Sequence, residues 1–166
     1  MLQVVNHSIQ PVFNSESRIL MLGSIPSPKS RENGFFYGHP QNRFWSILAA
    51  ILEVEIPQSN EEKKEFLFRH RIALWDVLAS CEIAGANDQS IRNPIPNSLE
   101  RILLSAGIRA IFTTGKKANE LYQKLCFPIT MRKSILLPSP SPANCRITFE
   151  QMCKEYRIIL PYLTEK

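Results

Sequence analysis

The sequence predicts an α/β fold, a three-layer α/β/α sandwich around a mostly parallel four-stranded sheet. Four short apolar runs are nearly continuous rather than alternating, which is typical of parallel strands that are covered on both faces. Segments with helical spacing separate these runs, and strands that alternate with helices build this kind of sandwich. The 166 residues fit a single domain over residues 1–166, long enough to bury a core without disulfides or metal ions.

The apolar runs and the capping signals locate the individual elements. The predicted strands are residues 19–22, 72–75, 108–113 and 135–137. An apolar stripe over residues 44–52 predicts the first long helix, and two further helices are predicted over residues 118–125 and 149–160. Capping pairs predict two more helices, one opened by Ser59 and Glu62 and running to about Arg69, the other opened by Asn97 and Glu100 and closed by Gly107. The longest predicted irregular stretch is residues 83–96.

Composition narrows the classes of function and location. Twenty Lys and Arg against fifteen Asp and Glu give a net charge of +5, which is compatible with a polyanionic partner but not specific for one. No apolar run approaches the roughly 20 residues of a membrane span, and residues 1–11 lack the features of a secretion signal. We therefore expect a cytoplasmic protein with no membrane partner.

The four cysteines, Cys81, Cys126, Cys145 and Cys153, form no CxxC pair. They also lack the spacing of a zinc or iron–sulfur site, so we expect reduced thiols and no metal. No organic cofactor is implied either. Glycine-rich nucleotide loops and the HExxH and GxSxG motifs do not occur in the sequence, which argues against NTPase, Rossmann, zincin and α/β-hydrolase functions.

Small polar residues follow the predicted strands, at the sheet edge where ligands bind in open parallel sheets. Two of these segments are rich in serine and proline: the first Ser-Pro loop (residues 23–28) and the second Ser-Pro loop (residues 138–144). Hydroxyls and backbone N–H groups in rigid loops can hold phosphate oxygens. The candidates are Ser24, Ser27, Ser139 and Ser141, although each hydroxyl could equally serve as a helix cap or turn.

Between the first loop and the first long helix lies the aromatic segment (residues 34–45), which contains Phe35, Phe36 and Tyr37. An aromatic ring here can stack on a base extruded from DNA, whereas Phe36 is expected in the core. Asn42 could be a helix N-cap or an active-site amide.

Other polar residues near these segments leave alternatives open. His39 could be a turn residue, Arg43 a phosphate contact or a solvated side chain, and Phe44 and Trp45 are expected in the core. Asp76 could orient a water molecule or cap a short helix containing Val77 and Leu78. The 83–96 stretch adds polar residues that could lie beside the site: Asn87, Asp88, Arg92 and Asn93.

These residues resemble the uracil-DNA glycosylase superfamily over residues 18–160. The resemblance rests on the first Ser-Pro loop, on the run from Phe36 to Trp45, and on the second Ser-Pro loop with the Leu137 before it. The segments 73–78 and 91–94 also match. Within the superfamily the pattern is most similar to the hypoxanthine-DNA glycosylases, also called DNA-deoxyinosine glycosylases. In many uracil- and mismatch-specific relatives an amide or carboxylate follows the glycine of the first motif, whereas this chain has Ser24 there.

The resemblance implies a monofunctional glycosylase that extrudes a deaminated base, most of all hypoxanthine, and leaves an abasic site in base excision repair. It implies that Asn42 is the catalytic amide and that Tyr37 stacks on the base, with Phe35, Ser24 and His39 also in the base-binding set. The implied DNA contacts are Ser27, Lys29, Arg43, Ser139, Ser141, Asn144 and Arg146. The side chain of Ala143 is small, which argues against a bulky wedge residue.

The implied partner is double-stranded DNA with a deaminated base, and single-stranded DNA is a further candidate, bound by a monomeric protein. Three alternatives stay open: a uracil- or mismatch-specific glycosylase, an inactive lesion-binding module, and a hydrolase of free nucleosides.

Overall fold

The computed structural model describes residues 1–7 and 9–164. Its strands, in chain order, are β1 (Gln3–Asn6), β2 (Ile19–Gly23), β3 (Ile72–Asp76), β4 (Leu78–Ala84), β5 (Asn87–Pro96), β6 (Ala110–Thr114) and β7 (Ser134–Leu137). Four of them form a central sheet in the order β3-β2-β6-β7, and every neighbouring pair in it is parallel. The four predicted strands are thereby confirmed, with ends that differ by no more than two residues.

The helices are α1 (Pro28–Asn33), α2 (Phe44–Leu52), α3 (Asn60–Arg69), α4 (Glu100–Ser105), α5 (Lys116–Leu121), α6 (Phe127–Thr130), α7 (Phe149–Tyr156) and α8 (Leu160–Leu163). A π-helical segment, Tyr122–Cys126, joins α5 to α6. The Ser59 hydroxyl accepts the backbone N–H of Glu62, as the capping pair predicts. No helix of the described residues is both long and apolar enough to span a membrane.

Alternate residues of β2 enter two separate cores, one on each face of the central sheet. Ile19 and Met21 pack with the apolar stripe of α2 and with α3 and α7. Leu20 and Leu22 pack on the other face with α4, α5 and the inner side of a second sheet. Because both faces of the strand are covered, the apolar run is continuous, and the predicted three-layer arrangement is confirmed.

The main correction concerns residues 83–96, which were expected to be irregular. They belong to a β-hairpin formed by β4 and β5, and this hairpin joins β1 in an antiparallel three-stranded sheet. The register of the hairpin shifts at three points. The edge strand β5 contains Pro94 and Pro96, which cannot donate to a ladder and so mask the strand signal.

The segments on either side of the hairpin also differ from expectation. Val77 and Leu78 form no helix, because β3 runs almost directly into β4. Asn97 does not cap α4, whose N-cap is Leu99. Instead, the Asn97 side chain donates to the carbonyl oxygens of Asp76 (2.9 Å) and Leu78 (3.2 Å), and so pins the crossing between the two sheets.

Candidate active site

A cavity of about 150 Å³ opens at the carboxyl end of the central sheet. The chain leaves β2 towards β3 but leaves β6 towards β7, so the strand order reverses between β2 and β6. Ligands of open α/β sheets bind at this kind of switch point. The lining comes from both Ser-Pro loops, the aromatic segment, the strand ends and the hairpin: Gly23, Ser24, Ile25, Pro26, Ser27, Ser30, Phe36, Tyr37, His39, Asn42, Asp76, Ile83, Gly85, Ala86, Asp88, Thr114, Ser139, Pro140, Ser141 and Pro142.

Tyr37 stands in the cavity wall with its ring fixed from two directions. One face stacks on Phe44, with ring centroids 3.9 Å apart and planes 12° apart, and the hydroxyl shares a 2.8 Å hydrogen bond with Thr114. Its backbone has φ of +51°, a left-handed conformation that is uncommon for a bulky residue. Burial, and then the negative charge of Asp76, raises the pKa of its hydroxyl, which therefore stays neutral. The left-handed backbone conformation of Tyr37 is a form of local strain, and such strain clusters at functional sites.

Asn42 lies two residues before α2 and lines the same cavity. Its Oδ1 accepts the backbone N–H of Phe44 at 2.9 Å. This bond satisfies one free N–H of the helix, although the N-cap residue itself is Arg43. The Nδ2 group has no partner among the described residues and remains able to donate into the cavity. The two interpretations of Asn42, capping and active-site amide, are therefore compatible.

Asp76 is a buried carboxyl group of the cavity wall, at the end of β3 and only 4% exposed. Its Oδ2 has no hydrogen-bond partner in the described part of the chain. Its Oδ1 lies so close to Gly23 that a Cβ added to that glycine would stand 2.8 Å away. Burial, and then the charge of Asp88, raises the pKa of Asp76 to about 8. Asp76 therefore keeps its proton at neutral pH and can donate a hydrogen bond.

Asp88 and Ser24 meet in the wall of the same cavity. The Ser24 hydroxyl donates to Oδ1 of Asp88 at 3.0 Å, which ties the first Ser-Pro loop to the hairpin across 64 positions of sequence. Burial raises the pKa of Asp88, while the Ser24 hydrogen bond and the positive charge of Lys117 act in the opposite direction. The site thus contains two carboxyl groups in different surroundings.

The serines of the two Ser-Pro loops make local contacts as well as lining the cavity. The Ser27 hydroxyl caps α1 by accepting the N–H of Ser30, and it donates to the Ser30 hydroxyl. Ser139 and Ser141 accept the backbone N–H groups of Ser141 and Ala143, each at 3.2 Å. Within the described residues no hydrogen bond uses the hydroxyl protons of Ser139 and Ser141, whereas that of Ser27 is used.

Arg43 fixes the second Ser-Pro loop to the aromatic segment. Its guanidinium donates to the carbonyl oxygens of Ile147 and Asn144, each at 2.7 Å, and its backbone N–H donates to Pro140. Asn144 in turn donates through its side chain to the carbonyl of Ser139. Arg43 and Asn144 therefore hold the loop and do not line the cavity, and the direct DNA contacts expected of them stay a prediction.

The structure brings seven of the twelve site residues together in the cavity: Ser24, Ser27, Tyr37, His39, Asn42, Ser139 and Ser141. Phe35 does not line it, because its ring is 8% exposed and stacks on Trp45 in the core. Phe36, Phe44 and Trp45 are buried as expected, and Phe36 also lines the cavity. Lys29 pairs with Glu32 on α1, and Arg146 is exposed beyond the second Ser-Pro loop.

Three contributions to the cavity were missed or left open. Thr114 carried no signal beyond its position at a strand end. Asp76 and Asp88 were candidates without an assigned place, since the hairpin that carries Asp88 into the site was itself unforeseen. Within residues 1–7 and 9–164, no group of three or more His, Cys, Asp or Glu side chains is placed to hold a metal ion.

Comparisons with known proteins agree with this geometry. The family model for the uracil DNA glycosylase superfamily matches residues 10–164. Two proteins named hypoxanthine DNA glycosylase are similar to the chain. The one from Methanosarcina barkeri is 32% identical over 82% of this chain and 86% of its own length. The one from Methanosarcina acetivorans is 30% identical over 87% and 92%, respectively.

A solved structure is similar over nearly the whole fold. The solution NMR structure of a Methanosarcina acetivorans protein, assigned provisionally as a uracil DNA glycosylase, superposes with a TM-score of 0.77 at 27% identity. The match covers 96% of this chain and 99% of that one. Sequence motifs, cavity position and these comparisons agree, and the chain belongs to the uracil DNA glycosylase superfamily.

Proposed function

We propose that this protein excises hypoxanthine from DNA by hydrolysing the glycosidic bond of an extruded deoxyinosine, without cleaving the strand. The observation that carries the proposal is the convergence of Asn42 and Tyr37 of the aromatic segment with Asp76 at the end of β3 on one cavity at the switch point. An aromatic face, a free amide donor and a buried carboxyl group are what an extruded base requires. The names of the two Methanosarcina relatives support hypoxanthine as the base.

The buried carboxyl of Asp76 suits the edge of a deaminated base. Hypoxanthine presents an N–H beside a carbonyl oxygen, so it needs one acceptor and one donor. A neutral carboxyl group offers both, because its carbonyl oxygen accepts and its hydroxyl donates. The unpartnered Oδ2 of Asp76 leaves an atom free for this contact. We propose that Asp76 holds the base by this edge.

Tyr37 and Asn42 then act on the positioned base. We propose that the face of Tyr37 turned away from Phe44 stacks on the base, and that the Nδ2 of Asn42 donates to it. The glycosidic bond breaks with its electron pair leaving on the base, so negative charge develops there in the transition state. A pre-oriented donor stabilises charge that develops during the reaction more than it stabilises the ground state.

The two Ser-Pro loops flank the cavity and are proposed to hold the DNA backbone on either side of the extruded nucleotide. The free hydroxyl protons of Ser139 and Ser141 and the exposed cations Lys29 and Arg146 are the proposed phosphate contacts. Duplex DNA with a mispaired hypoxanthine is the proposed substrate, since extrusion costs only a few kcal/mol, and least for a mispaired base. We also propose that the protein binds DNA as a monomer and that it can act on single-stranded DNA.

The test is the release of free base from matched duplexes that contain deoxyinosine or deoxyuridine, under single-turnover conditions. We expect hypoxanthine release by the wild-type protein and a fall of about 100-fold or more in Asn42→Ala, the usual cost of losing one transition-state donor. Gln41→Ala, which changes an exposed neighbour, is the matched control and should retain the rate. Absence of hypoxanthine release, or full release by Asn42→Ala, would contradict the proposal. If uracil is released faster than hypoxanthine, the protein is instead a uracil-specific glycosylase.

A further inference from the structure

The β4–β5 hairpin closes one side of the cavity and carries a carboxylate into it. Ile83, Gly85, Ala86 and Asp88 of the hairpin all belong to the lining. Asp88 alone among them is ionisable, and its Oδ1 receives the Ser24 hydroxyl at 3.0 Å. The first Ser-Pro loop, which has only a hydroxyl at Ser24, is thus paired with a carboxylate from an element distant in sequence.

The two cavity carboxyl groups have different surroundings. Burial raises the pKa of Asp88, whereas the hydrogen bond from the Ser24 hydroxyl and the positive charge of Lys117 lower it. Asp76 has neither contact, and burial followed by the charge of Asp88 raises its pKa to about 8. Asp88 is therefore the carboxyl group of the pair that has a hydroxyl donor and a nearby cation to stabilise its charged form.

We propose, on the basis of the proposed function above, that Asp88 is a second catalytic residue, whose carboxylate holds and polarises the attacking water while Ser24 orients that carboxylate. Ser24 occupies one lone pair of Oδ1 and leaves Oδ2 to accept a proton from water. A carboxylate also stabilises the positive charge that develops on the sugar as the base departs.

The step balances without any further reactant. The bond between C1′ and the base nitrogen breaks, and its electron pair leaves on the base. The water oxygen bonds to C1′ and one water proton passes to the Asp88 carboxylate. Bulk water takes that proton from Asp88 and supplies one to the base anion. The products are the free base and an abasic sugar with a hydroxyl at C1′.

The decisive variants are Asp88→Asn, which keeps the shape but removes the charge, and Ser24→Ala, which keeps the charge but removes the hydrogen bond. We expect Asp88→Asn to lower the single-turnover rate on a deoxyinosine duplex by about 100-fold or more, in the range of acid–base catalysts. Ser24→Ala should lower it much less. Affinity for a duplex containing 2′-fluoro-deoxyinosine, whose glycosidic bond resists cleavage, should be unchanged in Asp88→Asn.

A second measurement separates chemistry from a merely structural role of Asp88. Asp88→Ala leaves space for a small carboxylate, so added formate should raise its rate, whereas formate cannot restore a displaced hairpin. The matched control is Glu82→Gln, which neutralises a carboxylate of the same hairpin that bonds Asn93 outside the cavity. Its rate should equal that of the wild type.

The outcomes are distinguishable. Hypoxanthine release by the wild type together with an undiminished rate in Asp88→Asn overturns the role of Asp88 and leaves the proposed function intact. Equal losses in Asp88→Asn and Ser24→Ala, with no rescue of Asp88→Ala by formate, reduce Asp88 to a hairpin anchor and overturn it as well. Failure of the wild type to release any base overturns the proposed function itself.

Discussion

The Arg43 guanidinium donates a 2.7 Å hydrogen bond to the carbonyl oxygen of Asn144, across 101 positions of sequence. The contact joins the aromatic segment, which carries Asn42 and Tyr37, to the second Ser-Pro loop. Its companion bonds to Ile147 and Pro140 strengthen the same connection. The two halves of the cavity wall are thus held in register by one half-buried cation.

Replacing Arg43 should loosen this connection rather than remove a phosphate contact. Hydrogen bonds from charged groups contribute about 1.5–3 kcal/mol each, and Arg43→Ala removes two of them. We expect a loss of roughly 3–6 kcal/mol in the free energy of unfolding, measured by urea denaturation. The salt dependence of DNA affinity should keep its slope, because a slope changes only when a phosphate contact is lost.

Arg146→Ala supplies the matched control, since Arg146 is exposed beyond the second Ser-Pro loop. Its free energy of unfolding should stay within about 0.5 kcal/mol of the wild type. Its salt slope should fall by about one if Arg146 contacts a phosphate. The reverse pattern, with the slope changed in Arg43→Ala and stability unchanged, would restore Arg43 as a direct DNA contact.

The central sheet could be predicted from sequence because strands buried on both faces leave continuous apolar runs. Residues 19–22 and 72–74 are examples. The β4–β5 hairpin could not, because its polar positions, shifted register and prolines resemble a loop. The place of Asp76 was obscured for the same reason, since β3 was expected to lead into a helix rather than into β4.

Asn42 and Tyr37 were identified through the resemblance to a known family, and spacing alone left both with ordinary structural interpretations. Arg43 illustrates the opposite case. A cationic residue beside a DNA-binding motif suggests a phosphate contact. The carbonyl groups that Arg43 binds are close in space but lie about a hundred positions away in the sequence. Long-range satisfaction of backbone groups cannot be seen in a local pattern.

Replacing Gly23 with a residue that has a side chain should disrupt the site, because the α-carbon of Gly23 lies next to the Asp76 carboxyl group in the cavity wall. A methyl group there would lie 2.8 Å from Oδ1 of Asp76 and 3.2 Å from the Tyr37 hydroxyl. We expect Gly23→Ala to abolish base release, because either the carboxyl or the phenol must move into the space for the base. Gly107→Ala meets only an arginine nitrogen at 3.8 Å and should retain activity. A normal rate in Gly23→Ala would show that the base does not reach this part of the cavity wall.

Tyr37 has a hydroxyl contact and a stacking face, and two substitutions separate them. Tyr37→Phe removes only the hydrogen bond to Thr114 and should cost about 1 kcal/mol of stability with little loss of base release. Tyr37→Ala also removes the ring, and stacking of a base on an aromatic ring contributes about 1–3 kcal/mol. Affinity for a 2′-fluoro-deoxyinosine duplex should therefore weaken by roughly 5- to 150-fold. Equal affinity in the two variants would exclude stacking on Tyr37.

Asp76 should make the protein less stable as pH rises. Its pKa is about 8 in the folded protein, against an ordinary value of 3.8 for an aspartate, so the folded state binds the proton more tightly. The stabilisation is complete below about pH 4 and declines by roughly 1.4 kcal/mol per pH unit until about pH 8.

Asp76→Asn removes this dependence of stability on pH. The urea midpoint of Asp76→Asn should equal that of the wild type near pH 4 and exceed it increasingly towards pH 8. The control is Glu16→Gln, which alters an exposed carboxylate. Its urea midpoint should change with pH in the same way as that of the wild type. Parallel curves for Asp76→Asn and the wild type would mean that Asp76 is already ionised in the folded protein, and its role as a donor to the base would be lost.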